Sequence, residues 1–299
     1  MNEVRKLLEA RFPGLHARIE AALADSEAQY NRRAGQPASG FLLEHTQRTA
    51  AIARTLALRE GVDPWRPVLV ALFHDAGKFY EGEYHQDEVP EEEHAARLAL
   101  PLLGEHGVDA AEIGMVLQAL RALYDDRLPC IGACRIVQDA DRLDKLGALG
   151  VGAFFTKATL RGRGLVDALA QTLSRELTYA LAAPRSMFTE SGRQLARALS
   201  ARTIAFFDDL LAELDECGIA AFQRRPLVLR GDFRTRDGDP VDQMEVTVVT
   251  PRACPQCEGE MDLAHRLERG VKCETVKARI TCRACDYARE ISFCLPVLA

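Results

Sequence analysis

The side chains with the clearest capacity for chemistry are His74 and Asp75, which follow the apolar run 68–73. An imidazole beside a carboxylate is costly to bury unless another charge compensates it, and a bound metal ion is the simplest compensation. His45 lies upstream of this pair and Asp141 lies downstream. Two imidazoles and two carboxylates suit Mn, Fe, Co, Ni or Mg better than a metal that prefers thiolates. We therefore predict one catalytic divalent ion bound by His45, His74, Asp75 and Asp141.

Three aspartates compete for the last ligand position, because Asp139 and Asp144 lie close to Asp141 in the sequence. On a helix, Asp141 shares a stripe with Val137 and Asp144, whereas Asp139 falls off that stripe. The periodicity therefore disfavours Asp139. We interpret Asp144 as a residue that supports the ligands, or as a partner of Lys145 or of a neighbouring arginine.

A divalent ion with open coordination positions can polarise a phosphoryl oxygen and activate a water molecule near neutral pH. Hydrolysis of a phosphate bond needs both effects. Lys78 comes four residues after His74, and it would contact phosphate or protonate the leaving group if the helix continues that far. Arg48 comes one turn after His45 and would also hold phosphate. The alternatives are a solvated lysine after a helix end and an arginine in a surface ion pair.

The elements that must position these side chains are predicted to be helices, because residues 1–225 carry helical periodicity. In 41–58 the apolar residues and His45 form one stripe, which points His45 towards the core. The short run 67–76 fits a buried strand or a buried helix by periodicity. We choose a helix, since the flanking segments are helical and Gly77 offers a C-terminal stop.

Length and composition describe a globular chain with room for one large domain, or for a medium and a small one. The 299 residues are 47% hydrophobic and 27% charged, with a net charge of −6 and no basic arm or polybasic patch. No apolar run is long enough to span a bilayer, and the charged N-terminus does not resemble a signal peptide. We therefore expect a cytoplasmic protein without a membrane partner.

The pattern changes from helical to alternating after Gly218. Segments such as 246–248 and 291–295 alternate as strands do. We predict a mainly α protein, with a helical domain over residues 1–222 and a small β-rich domain over residues 223–299.

Two Cys-x2-Cys pairs lie in the β-rich region, Cys254 with Cys257 and Cys282 with Cys285. Four thiolates at this spacing match a closed tetrahedral site, so we predict a structural zinc ion in a zinc-ribbon-like domain. A redox role fits poorly, because no βαβ pattern surrounds either pair. Residues 226–299 hold 11 basic and 12 acidic residues, so no electrostatic attraction to nucleic acid is expected. A protein partner or self-association is the expected role of this domain.

The order His, His-Asp, Asp resembles that of the HD-domain superfamily of metal-dependent phosphohydrolases. The likeness is carried by the segments 45–48, 71–78 and 138–150, with a weaker one at 188–196. It extends over about residues 41–215 and implies an all-helical bundle that hydrolyses phosphate bonds, commonly in nucleotides. The family's Ala-Asp-Arg-Leu element falls on residues 140–143, which selects Asp141 as the fourth ligand.

Some members of this superfamily bind two metals through additional histidines. His94 resembles the first of these histidines, but Leu123 and Tyr124 stand where the second would be. We therefore favour one metal, with His94 as a substrate contact or a proton shuttle. The alternative is a residue on a helix face with no role in catalysis.

Two functional hypotheses follow from the resemblance. The first is a phosphohydrolase that cleaves an ester or anhydride bond in a small phosphorylated substrate, with a nucleotide favoured. The second is a regulatory module that binds a nucleotide or a protein through a non-catalytic HD core and docks through the zinc ribbon. All four predicted ligands are present, and a binding module has no need of an open metal position. We therefore prefer the enzyme.

Overall fold

The computed structural model describes residues 2–37, 39–84, 89–123, 125, 127–234, 240–270 and 273–295. Within this part, ten α-helices precede five β-strands, which confirms the predicted mainly α class with a small β-rich region. None of the helices in the described residues is long and apolar enough to span a membrane. The chain divides into two compact units, Met1–Asp144 with Phe188–Gly192 and Lys145–Met187 with Arg193–Ala299. The sequence instead predicts a domain boundary between residues 222 and 223. That boundary does not coincide with the division into these two units, and it stays a prediction.

The first unit is helical. Its helices are α1 (Asn2–Glu9), α2 (Leu15–Arg33), α3 (Phe41–Arg59), α4 (Trp65–Phe73), α5 (Glu91–Glu105), α6 (Ala110–Arg121) and α7 (Ala133–Leu143). Almost every residue of α4 is apolar and buried, and this helix contacts α3, α5, α6 and α7. The run that periodicity left open is therefore a helix, as predicted. It ends at Phe73, and residues 74–79 form turns rather than a further helical turn.

The helix that carries His45 is capped at its start by a buried carboxylate from α2. Glu27 accepts hydrogen bonds from the backbone N–H groups of Leu42 at 3.2 Å and Leu43 at 3.3 Å. It also accepts one from the hydroxyl of Ser39 at 2.9 Å. A negative charge at this end satisfies free N–H groups and complements the helix dipole, so Glu27 fixes where α3 begins.

Asp139 binds the start of α10 (Glu190–Glu216). Its carboxylate accepts hydrogen bonds from the backbone N–H groups of Phe188 at 2.9 Å and Thr189 at 2.8 Å, and from the Thr189 hydroxyl at 2.7 Å. That hydroxyl in turn accepts from the N–H of Gly192 at 2.9 Å. A β-carbon at Gly192 would lie 2.5 Å from the Asp139 carboxylate, so this close approach requires glycine.

The second unit combines helices with two antiparallel sheets. Its helices are α8 (Gly147–Leu160), α9 (Leu165–Ala182) and most of α10, and its strands are β1 (Phe222–Arg234), β2 (Pro240–Pro251), β3 (Met261–Arg269), β4 (Glu274–Cys282) and β5 (Ala288–Cys294). β1 pairs with β2, and β4 lies between β3 and β5. One apolar core joins residues of both sheets, among them Met244, Val246, Val276, Ile280 and Phe293.

Helix α9 packs along β2 and supplies hydroxyl groups to the strand. The backbone N–H of Thr247 donates to the Thr178 hydroxyl at 3.0 Å, and that of Val249 donates to the Ser174 hydroxyl at 2.9 Å. The Thr178 hydroxyl also contacts the carbonyl oxygen of Thr247 at 3.3 Å. Hydroxyl groups of α9 therefore form hydrogen bonds with backbone groups of β2 that would otherwise pair with a neighbouring strand.

Four cysteines outside the two Cys-x2-Cys pairs form disulfide bonds, whereas Cys217 is a free, exposed thiol. Cys130 is bonded to Cys134 in the first unit, and Cys273 to Cys294 in the second. The sequence does not predict either bond, because a cytoplasmic protein is expected to keep its thiols reduced.

Candidate metal centre

His45 lies on the buried face of α3, with 8% of its surface exposed. Its Nδ1 lies 2.8 Å from Oδ2 of Asp144. Burial disfavours the ionised form of Asp144, but hydrogen bonds from His45 and Arg48 outweigh it and hold the pKa of Asp144 below its usual value. An ionised carboxylate only accepts hydrogen bonds, so Nδ1 carries the proton and Nε2 is the atom available to a metal.

His74 directly follows α4, and it is 1% exposed. Its Nδ1–H donates to the carbonyl oxygen of Ala71 in the last turn of that helix, at 2.7 Å. Its Nε2 then lies 3.3 Å from Nε2 of His45. The Nε2 atoms of the two imidazoles therefore face each other, where one metal ion could bind both.

Two carboxylates complete this cluster. Oδ1 of Asp141, on α7, lies 3.3 Å from Nε2 of His45 and 3.9 Å from Nε2 of His74. Asp75 contacts both imidazoles, with Oδ2 at 3.5 Å from Nε2 of His45 and Oδ1 at 3.7 Å from Nε2 of His74. His45, His74 and Asp141 each offer a ligand atom within 4.8 Å of the others. The structure thus brings three of the predicted ligands into one group, and the fourth, Asp75, lies in contact with both imidazoles.

This donor set fits a divalent cation. With Nδ1 protonated, both Nε2 atoms are acceptors, and they face each other and the carboxylate oxygens. Acceptors at such distances repel one another unless a cation lies among them or an imidazole takes up a proton. Ligand atoms about 2.1 Å from one ion lie roughly 3–3.5 Å apart. The separations of 3.3 Å between His74 and His45 and between His45 and Asp141 agree with this value.

The charges in the cluster shift its pKa values. Burial disfavours protonated His45, yet hydrogen bonds to Asp141 and Asp144 outweigh burial and raise its pKa. Burial lowers the pKa of His74, although the charge of Asp75 opposes this. Burial also disfavours ionised Asp75, but the nearby positive charges dominate and hold its pKa well below the usual range. His74 is therefore neutral and ready to bind a metal, whereas His45 gains a proton more readily when no metal is bound.

The three competing aspartates have separate places in the structure. Asp141 faces the two Nε2 atoms, whereas Asp144 contacts His45 at the opposite nitrogen of the ring. Asp139 is bound by the backbone before α10, and burial raises its pKa although these hydrogen bonds oppose the shift. The assignment of Asp141 as the fourth ligand stays a prediction, and these distances support it.

Arg48 forms a two-pronged ion pair with Asp144. Its Nε lies 2.8 Å from Oδ1 and its Nη2 lies 3.0 Å from Oδ2. The side chain of Asp144 is 2% exposed and that of Arg48 is 25% exposed, so the pair is largely buried. Since Asp144 orients the ring of His45, this geometry favours a positioning role for Arg48 over a phosphate contact.

Lys78 reaches the cluster through the turn after α4. Its Nζ lies 2.7 Å from Oδ2 of Asp75 and 3.7 Å from Oε1 of Glu91, the first residue of α5. Burial disfavours the charged lysine, but Asp75 and Glu91 outweigh it and raise its pKa above the usual range. A lysine that keeps its proton suits a phosphate contact better than proton donation. Glu91 is the residue of this site that the sequence analysis missed.

His94 lies on the buried side of α5, with 6% of its surface exposed. Its ring stacks on that of Tyr80, with centroids 5.0 Å apart. The role of His94 as a substrate contact or proton shuttle stays a prediction. Of the two residues at the place of a second histidine, Leu123 is buried, and Tyr124 lies outside the described residues.

The four cysteines of the Cys-x2-Cys pairs also converge, with ligand atoms within 4.8 Å of one another. The sulfur of Cys257 lies 3.4 Å from those of Cys282 and Cys285, and the sulfur of Cys254 lies 3.6 Å from that of Cys285. The backbone N–H of Ala284 donates to Cys282 at 3.2 Å and lowers the pKa of this thiol to about 7. Such a cluster offers four soft ligands to a metal.

Comparison with known protein families places an HD domain at residues 42–146. This segment contains every histidine and aspartate of the cluster around His45. An HD domain implies a divalent metal, in agreement with the donor set. No curated protein matches the chain.

Several solved structures resemble the chain. A predicted HD superfamily hydrolase from an uncultured Thermotogales bacterium is 26% identical, covers 69% of this chain and 96% of its own, and has a TM-score of 0.49. An HD-superfamily hydrolase from Bacillus thuringiensis is 22% identical, with coverage of 67% and 98% and a TM-score of 0.48. YpgQ from Bacillus subtilis in complex with ADP is 23% identical, with coverage of 57% and 87% and a TM-score of 0.45.

Proposed function

We propose that this protein is a metal-dependent phosphohydrolase of the HD type. It cleaves an ester or anhydride bond in a small phosphorylated substrate, and a nucleotide is the favoured class. The main support is the convergence of the His45 and His74 imidazoles with the Asp141 carboxylate, whose ligand atoms lie within 4.8 Å of one another. A divalent ion bound there (Mn, Fe, Co, Ni or Mg) would polarise a phosphoryl oxygen and activate the attacking water.

The residues of the chain prepare this site before substrate binds. Lys78 holds a positive charge beside Asp75, where it would stabilise negative charge that develops on phosphoryl oxygens. Asp144 holds the ring of His45 in the tautomer that leaves Nε2 available, and Arg48 holds Asp144.

The test is hydrolysis by protein stripped of metal and reloaded with each ion in turn. Nucleoside mono-, di- and triphosphates, cyclic dinucleotides and aryl phosphates make up the substrate panel. Asp75→Asn should abolish metal-dependent turnover and keep the helical content. Asp63→Asn is a matched control, because this exposed carboxylate lies at the other end of α4 and pairs with Arg11. Metal binding without turnover of any substrate would reject the enzyme in favour of the regulatory module.

We also propose that the four cysteines bind a structural zinc ion. Four thiolates close the coordination sphere, so such an ion stabilises the fold and leaves no position for a substrate. A β-carbon at Gly259 would lie 3.1 Å and 3.3 Å from the sulfurs of Cys282 and Cys257, so a glycine allows the backbone to pass the sulfurs closely. A protein partner or self-association through this region, and a cytoplasmic location, belong to the same proposal.

A further inference from the structure

Glu91 lies at the end of a row of charges that begins in the metal centre. Nζ of Lys78 is 2.7 Å from Asp75 and 3.7 Å from Glu91, so the ammonium group lies between two carboxylates. Side-chain exposure rises from 9% at Asp75 to 27% at Glu91. Glu91 therefore contacts the lysine beside the metal centre and also has access to solvent.

The position of Glu91 is set by close packing of its backbone. Gly77 belongs to the same turn as Lys78, and a β-carbon at Gly77 would overlap the carbonyl oxygen of Glu91 and lie 2.8 Å from the backbone nitrogen of Ala95. The start of α5 is thus pressed against the turn that carries Lys78. This contact distinguishes Glu91 from Glu92 and Glu93, which follow it on the same helix.

Hydrolysis of a phosphate ester with a poor leaving group requires a proton donor. Asp75 belongs to the proposed metal ligands and Lys78 donates to it at 2.7 Å, whereas Glu91 lies on the row of charges outside the ligand set. Burial raises the pKa of Glu91 to about 7, since the charges of Asp75 and Glu92 act in the same direction and only Lys78 opposes them. Near neutral pH a substantial fraction of Glu91 therefore carries a proton.

We propose that Glu91 donates a proton to the leaving-group oxygen of the substrate. The oxygen of the attacking water forms a bond to phosphorus, the bond from phosphorus to the leaving oxygen breaks, and that oxygen takes the Glu91 proton. The water loses one proton to solvent, and the Glu91 carboxylate regains one from solvent. This role rests on the proposed hydrolase function.

A leaving-group series tests the role. Phenyl phosphate releases a phenol with a pKa of about 10, which needs protonation, whereas p-nitrophenyl phosphate releases a far more acidic phenol. Glu91→Gln should lower kcat for phenyl phosphate by about 100-fold or more, and for p-nitrophenyl phosphate by less than about 10-fold. With phenyl phosphate, wild-type kcat should fall as pH rises through the pKa of Glu91, and this fall should be absent in the variant.

Glu93→Gln is the matched control, because it removes a carboxylate of the same helix that pairs with Arg121, and it should leave both rates unchanged. Calorimetry and thermal unfolding should show that Glu91→Gln binds metal and folds as the wild type does. In the metal-free wild type, carbon NMR should show a glutamate carboxyl that titrates near pH 7, absent in Glu91→Gln. Equal losses on both esters, or no loss on either, would overturn the role of Glu91. Absence of turnover in the metal-loaded wild type would instead reject the hydrolase function itself.

Discussion

Gly77→Ala is expected to separate the turn that carries Lys78 from the start of α5. The new β-carbon would overlap the carbonyl oxygen of Glu91 and lie 2.8 Å from the nitrogen of Ala95, where ordinary contacts begin at 3.4 Å. The contact with Ala95 alone requires the backbone to open by 0.6 Å, the difference between these two distances, and the overlap with Glu91 requires more. Overpacking of this kind lowers the free energy of unfolding by about 1–3 kcal/mol. Backbone atoms cannot move aside by changing rotamer, so we expect a loss of about 2–3 kcal/mol. The displacement of Lys78 should lower turnover by about 10- to 100-fold.

Urea unfolding followed by circular dichroism, together with steady-state kinetics, measures both effects. Gly104→Ala is the matched control, because a β-carbon at this exposed position of α5 meets nothing within 4 Å. The free energy of unfolding of this control should rise by up to about 1 kcal/mol, since alanine is a better helix former than glycine. If Gly77→Ala keeps wild-type turnover and a free energy of unfolding within about 0.5 kcal/mol of the wild type, the close packing against Glu91 does not constrain the site.

Three further predictions concern the metals. Asp144→Asn should weaken divalent-ion binding by about 10- to 100-fold in isothermal titration calorimetry, because the ring of His45 loses its charged partner; unchanged affinity would contradict this support role. Since the pKa of His45 is raised without metal, affinity should fall as pH falls through that pKa, and binding should release a proton. Calorimetry in buffers of different ionisation enthalpy measures that proton, and its absence would refute the argument. Cys282→Ser should remove zinc and retain the ion at the HD site in elemental analysis, and loss of both ions would show that the two sites depend on each other.

The convergence of these histidines and aspartates could be predicted because their chemistry is visible locally. His45 occupies a position on α3 where periodicity demands a buried residue, and His74 follows an apolar helix directly. Such residues are expensive to bury without a partner, so their spacing carries information about a site. The helical class of the first unit follows from the same periodicity.

The residues around the ligands could not be predicted, because their roles depend on contacts distant in sequence. Glu91 is one of three consecutive glutamates that open α5, and only the packing against Gly77 singles it out. Asp139 falls off the helical stripe, and its partners Phe188 and Thr189 lie about 50 residues further on. No local pattern reports contacts of this kind.

Lys78 was expected to reach the site on a longer helix, and the structure uses a turn instead. The ammonium group of Lys78 still contacts Asp75, because its four-carbon side chain is long enough to compensate for the different backbone path. For a residue with a long side chain, the position of its charged group is thus easier to predict than the end of the helix that carries it.

The hydroxyl groups of α9 along β2 have a consequence for aggregation. A strand edge with open backbone groups is a template for another chain, and proteins often protect such edges with a helix. Here Thr178 and Ser174 bind the backbone of Thr247 and Val249 directly, so α9 is attached to the strand by hydrogen bonds as well as by apolar contact. Thr178→Val would leave a buried N–H without its acceptor, and α9 would separate from β2 more easily. Each separation would free a strand edge for intermolecular pairing, so the two hydroxyls on α9 protect the edge of β2 as well as stabilise the fold.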